Sequence, residues 1–179
     1  TTHRDFFGNT VTCCSLHEPH AALEITAMSD VELPDPPPAL PATSPPWEEV
    51  HEQLRTARSD PTLEAYQFAF ASPMVQIDDA VRAWAAPFFD PGRPLLDAVR
   101  DLTTHIHAAW AYAPATTTVG TPVAEILRTR RGVCQDFAHL EIAALRAMGL
   151  AARYVSGYLE TVPPPGQERL VGADASHAW

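Results

Sequence analysis

Arg131-Gly132-Val133-Cys134-Gln135-Asp136-Phe137-Ala138-His139-Leu140 is the stretch on which the reading of this chain turns. Gly132 is expected to end one helical segment by accepting a left-handed backbone, and a new helix opens around Cys134. Phe137, Leu140, Ala144 and Met148 recur at helical spacing as its buried stripe, and Gly149 is the expected stop. A cysteine in the first turn of a helix meets unpaired backbone N–H groups and the positive end of the helix dipole, which together favour an anion. Thiolate, not thiol, is the nucleophile, so this is the placement a catalytic cysteine requires. The same N–H groups could hold a developing oxyanion.

Downstream, Arg153-Tyr154-Val155-Ser156-Gly157-Tyr158-Leu159 is rich in aromatic and β-branched residues and reads as a strand, closed by the loop Pro163-Pro164-Pro165-Gly166. Asp174-Ala175-Ser176-His177-Ala178-Trp179 reads as the start of another. His177 follows Cys134 by 43 residues, across a helix, a strand and a loop, so the chain can return it to the helix mouth as the base of a Cys-His pair. His139 lies on the same helix as Cys134 but five residues on, projects to another side and reads as structural. Asp136 suits the helix dipole and reads first as helix-stabilising. Gln135 is either an oxyanion donor or an exposed first-turn polar residue, and Tyr112 either an aromatic lid or core.

Upstream, Leu95, Val99, Leu102, Ile106 and Trp110 fall on one face of a helix opened by Pro94. Thr121-Pro122 starts a short helix carrying Val123, Ile126 and Leu127, while Asp60-Pro61 and Ser72-Pro73 carry the cap-plus-proline signature of two more. Residues 34–46 hold seven prolines and read as a semi-rigid linker. Before it, residues 1–33 read as part of a β-rich N-terminal module, with strands at Thr10-Val11-Thr12 and Leu23-Glu24-Ile25-Thr26-Ala27 and turn residues at Gly8-Asn9. Residues 47–179 are the predicted core.

Composition narrows the partners. Hydrophobic residues make up 46% and charged residues 19%, the globular range. A formal net charge of −10 repels phosphate backbones and anionic lipids, so neither nucleic acid nor a membrane is an expected partner. The three cysteines include the adjacent pair Cys13 and Cys14, which suggests a reducing compartment and a cytoplasmic location rather than a disulfide framework. His105 and His107 lie two apart on a helix and do not make a metal pair; no metal and no organic cofactor is expected. The chain begins Thr1-Thr2-His3 without an initiator Met and reads as truncated at both ends.

Three ordered blocks, Arg131 to Leu140, Gly149-Leu150-Ala151-Ala152-Arg153-Tyr154-Val155-Ser156-Gly157-Tyr158 and Gly172-Ala173-Asp174-Ala175-Ser176-His177-Ala178-Trp179, resemble the core of bacterial transglutaminase-like proteins. Asp5-Phe6-Phe7-Gly8-Asn9 and Glu18-Pro19-His20 resemble the end of the β-rich N-terminal domain of the same family. The resemblance implies an α+β, papain-like fold in which the nucleophile helix packs on an antiparallel sheet. It implies that Cys134 forms a thioester with a carboxamide or peptide carbonyl, that His177 shuttles protons, and that water or an amine takes the acyl group. An orienting Asp is implied on the strand after the histidine, beyond Trp179. Protein or peptide substrates follow from the same analogy. The alternatives are a protease or deamidase without transamidation, and a non-catalytic interaction module that keeps the fold.

Overall fold

In a computed structural model of the protein, residues 1–26, 28, 41–159, 165–166 and 176–179 are described. The chain divides into two units, Thr1–Ala39 and Leu40–Trp179.

In the first unit, β1 (Thr2–Arg4) pairs antiparallel with β2 (Thr10–Thr12), His3 opposite Val11. The turn between them is built by Asp5, whose carboxylate accepts from the N–H of Phe7 at 2.9 Å and of Asn9 at 2.8 Å. Gly8 supplies the left-handed residue at φ 84°. The expected strand at Thr10–Thr12 thus finds its partner upstream of Gly8-Asn9. Leu23 to Thr26 form no strand, having no paired neighbour among the described residues. Position 27 and residues 34–40 of the expected linker lie outside the described residues.

The second unit opens with α1 (Trp47–Thr56), whose first N–H donates to the Arg93 carbonyl at 3.0 Å. α2 (Asp60–Tyr66) carries Pro61 in its first turn, but the cap is Ser59 rather than Asp60. Ser72-Pro73 starts no helix. Ser72 and Val75 exchange both backbone hydrogen bonds at 3.0 Å, closing a tight turn in which proline sits second. Proline's fixed φ suits that turn position as well as a helix start, which is why the two signatures look alike. The helix begins later, as α3 (Asp79–Ala85), with the Asp78 side chain capping the Val81 N–H at 2.8 Å.

Next come α4 (Leu95–Ala109), opened by Pro94, β3 (Ala111–Tyr112), α5 (Val123–Thr129), β4 (Arg131–Gly132) and α6 (Cys134–Ala147). β5 (Ser156–Tyr158) and β6 (Ser176–Ala178) follow. β3 and β4 pair in parallel, whereas β5 and β6 are antiparallel with Gly157 opposite His177. Val155 and Trp179 extend the second ladder by exchanging two hydrogen bonds at 2.9 Å.

The core lies between α3, α4, α5 and α6. Val81, Leu102, Ile126 and Leu140 are fully buried in it, each burial stabilising by about 1.5–3 kcal/mol. α6 presents Ala138, Ala143, Ala144 and Ala147 as well, and these small side chains let α3 and α5 pack closely on it. Its buried Arg146 donates to the carbonyls of Ala152 and Phe70 and to the Ser72 hydroxyl at 2.8–3.1 Å. Burial holds that guanidinium below the ordinary arginine range. The result is an α+β architecture in which helices carry the core and short strand pairs join its edges. No helix among the described residues is long and apolar enough to cross a membrane.

Candidate active site

Cys134 is the first residue of α6, and what fixes it there is Asp136. Val133, at the N-cap, has no polar side chain to offer. Asp136, in the third helical position, reaches back instead and accepts from the Val133 N–H at 2.8 Å, half of a capping box. The same carboxylate oxygen accepts from the Thr117 hydroxyl at 2.6 Å, and the residue is 1% exposed. Asp136 therefore does more than meet the dipole. It ties the helix mouth to the loop ahead of α5.

The glycine before the cysteine is needed for a reason other than the expected one. The left-handed residue that ends α5 is Arg130, at φ 53°. Gly132 is required because a Cβ there would stand 2.8 Å from both the Cβ and Oδ2 of Asp136. Close approach, not backbone handedness, excludes a side chain.

Cys134 and His177 line one cavity of about 360 Å³. Its other walls are Val133, Gln135, Tyr154, Ser156, Gly157, Tyr158, Ser176 and Ala178. Both residues are half-buried. β6 brings His177 in by packing against α6, and the His177 ring leans edge-on to Trp179 with centroids 5.0 Å apart. Gln135 also lines the cavity, its amide donating to the Val119 carbonyl at 3.4 Å.

Tyr112 is not brought to this cavity. It pairs with Gly132 across the β3–β4 ladder and is 65% exposed, so it is neither core nor part of this cavity's wall. His139 is buried, with its ring tilted on Tyr154 at 5.1 Å. Burial lowers the His139 pKa; Asp136 opposes that shift and Arg146 reinforces it. Tyr154 is the residue that reading the sequence missed. Burial raises its phenol pKa, and the neighbouring Cys134 raises it further. Tyr154, Ser156 and Tyr158 all line the cavity and are two apart, so they share one face of an extended segment; that period was the available signal.

A larger cavity of about 580 Å³ lies at the far end of α6, beside Trp47, His51, Arg82 and Arg146. Both arginines there donate to backbone carbonyls. No group of three or more metal-ligating side chains is assembled among the described residues. Cys13 and Cys14 are exposed and unpaired.

A family model for the transglutaminase-like superfamily core matches residues 82–179. An uncharacterized protein of Mycobacterium tuberculosis is 47% identical over 182 residues, an alignment spanning 100% of this chain and 56% of that protein. One from Mycobacterium leprae is 33% identical over 178 residues, covering 98% of this chain and 59% of the relative. The chain thus spans a little over half the length of these relatives. Among solved structures, a "Putative Cysteine Protease" from Cytophaga hutchinsonii is 28% identical with a TM-score of 0.53, covering 70% of this chain and 42% of that one.

Proposed function

The chain belongs to the transglutaminase-like superfamily, and from that premise we propose that it is a cysteine enzyme acting on carboxamide or peptide carbonyls through a thioester on Cys134. The observation that carries this reading is the shared cavity: a cysteine opening α6 and a histidine on β6 face the same space.

In the proposed cycle His177 takes the thiol proton as the Cys134 sulfur bonds to the carbonyl carbon, and the carbonyl π pair moves to oxygen. Collapse expels ammonia or an amine, which receives the proton from His177. The thioester is then attacked by water or a second amine, whose proton returns through the same imidazole. Backbone N–H groups at the mouth of α6 are available to the oxyanion, with Gln135 beside them. An orienting carboxylate belongs, on this reading, to the strand that follows the histidine, and its removal from such a triad costs about 10⁴ in turnover. Asp136 does not fill that part, because it does not line the cavity that holds His177 and its Oδ2 is engaged with Val133 and Thr117.

Protein or peptide substrates fit an open, half-buried nucleophile better than an enclosed metabolite site would. Hydrolysis is the second reading, supported by the likeness to the protein named as a cysteine protease. Water and amine compete for one thioester, so a dansylated amine offered with a glutamine-containing protein separates them. Cys134-dependent incorporation marks transamidation, whereas Cys134-dependent ammonia or peptide release without incorporation marks hydrolysis. Equal activity in Cys134→Ala removes the nucleophile assignment.

A further inference from the structure

Tyr154 lines the cavity that holds Cys134 and His177 and is anchored by its surroundings. Its ring rests on the buried His139 ring at 5.1 Å and packs against the core. Two residues earlier, the Ala152 carbonyl accepts from both Nε and Nη2 of Arg146 at 3.1 and 2.8 Å, while the Ala152 N–H donates to Phe68 at 3.2 Å. One residue later, Val155 is locked to Trp179 by the two 2.9 Å bonds that hold the His177 strand in register. Anchors on both sides thus fix the backbone that carries Tyr154 along the wall of the cavity that also holds Cys134 and His177. Tyr158, the other phenol of the cavity, sits in the β5–β6 ladder opposite Ser176 but is 70% exposed.

We propose that Tyr154 is a catalytic hydrogen-bond donor, its hydroxyl stabilising the oxyanion that forms when Cys134 attacks a carbonyl. This rests on the nucleophile reading above. The balance of the step is simple: the sulfur–carbon bond forms, the carbonyl π pair moves to oxygen, and Tyr154 donates a hydrogen bond while keeping its proton. Burial and the neighbouring sulfur both disfavour the phenolate, so the group stays a donor through the neutral range. A donor aimed where charge develops contributes far more to the transition state than to substrate binding.

Two probes of Cys134 separate this role from packing. Acylation by p-nitrophenyl acetate builds charge on a carbonyl oxygen and releases p-nitrophenolate, whereas alkylation by iodoacetamide displaces iodide at a saturated carbon and forms no oxyanion. Tyr154→Phe keeps the ring on His139 and removes only the hydroxyl. The expected result is acylation slowed by about 10-fold or more, with alkylation of Cys134 within about twofold of the parent protein. Acylation unchanged in Tyr154→Phe overturns the proposal, as does an equal fall in both reactions, which would mean the sulfur had been displaced. If Cys134→Ala acylates as fast as the parent, the nucleophile reading fails, and the Tyr154 role with it.

Discussion

Asp136 accepts a hydrogen bond from the N–H of Val133 at 2.8 Å, so the residue just before Cys134 is held by the residue two places after it. With Thr117 on the same oxygen at 2.6 Å, Asp136→Ala leaves two donors without their acceptor. Its loss should cost about 1–3 kcal/mol in urea unfolding, whereas Thr117→Val, which leaves the Val133 contact intact, should cost about 0.5–1.5 kcal/mol. Equal costs would mean that the cap and the loop tie are not separate contributions.

Gly149 and Gly92 offer a matched comparison. Both have positive φ, 76° and 78°, and should lose about 1–2 kcal/mol on substitution by Ala for that reason alone. A Cβ at Gly92 meets open space, but at Gly149 it runs into the His51 ring, whose Nδ1 lies 3.0 Å from the Met148 carbonyl. Gly149→Ala should therefore lower the melting temperature clearly more than Gly92→Ala.

The same pair shows what could be read without coordinates. Gly149 as a helix stop follows from local backbone chemistry, and so do the Pro94 and Thr121-Pro122 helix starts. The demand for glycine at 132 was visible but its cause was not, since that cause is the Asp136 side chain folding back over one helical turn. Ser72-Pro73 misled because a tight turn and a helix start ask the same φ of proline. At the site, Cys134 and His177 stand out by chemistry and spacing together with the family resemblance of the blocks that carry them. Tyr154 does not, because an aromatic residue in an extended run looks like packing until the neighbouring sulfur is placed.

His139 predicts a pH response. Its folded pKa is depressed by burial below the ordinary value of 6.5, so below that value the unfolded chain binds the extra proton first. Its contribution is fully present above about pH 6.5 and is lost as pH falls through the lowered folded value. Melting temperature should drop on acidification from about pH 7.5 to 5.5, and His139→Phe should flatten that slope. An unchanged slope in the variant assigns the effect elsewhere.

Glu141 carries the opposite sign. It accepts from the Thr103 hydroxyl at 2.6 Å, linking α6 to α4, and burial raises its carboxyl above the ordinary 4.5, with the Thr103 bond opposing. A raised carboxyl contributes stability below the unfolded pKa and loses it as pH climbs through the folded one. Glu141→Gln, which cannot ionise and still offers an acceptor, should melt higher than the parent protein at pH 7, the gap closing towards pH 4. A lower melting temperature at pH 7 would contradict this.

The measurement that tests the central claim most directly is the rate at which iodoacetamide labels each cysteine at pH 7, read peptide by peptide by mass spectrometry, with and without His177→Ala. Cys13 and Cys14 are exposed and serve as references inside the same molecule. If His177 activates the sulfur it faces, Cys134 should label faster than both despite being half-buried, and His177→Ala should slow Cys134 by about tenfold or more while leaving the other two unchanged. Cys134 labelling no faster than the references, and indifferent to His177, would contradict the pairing.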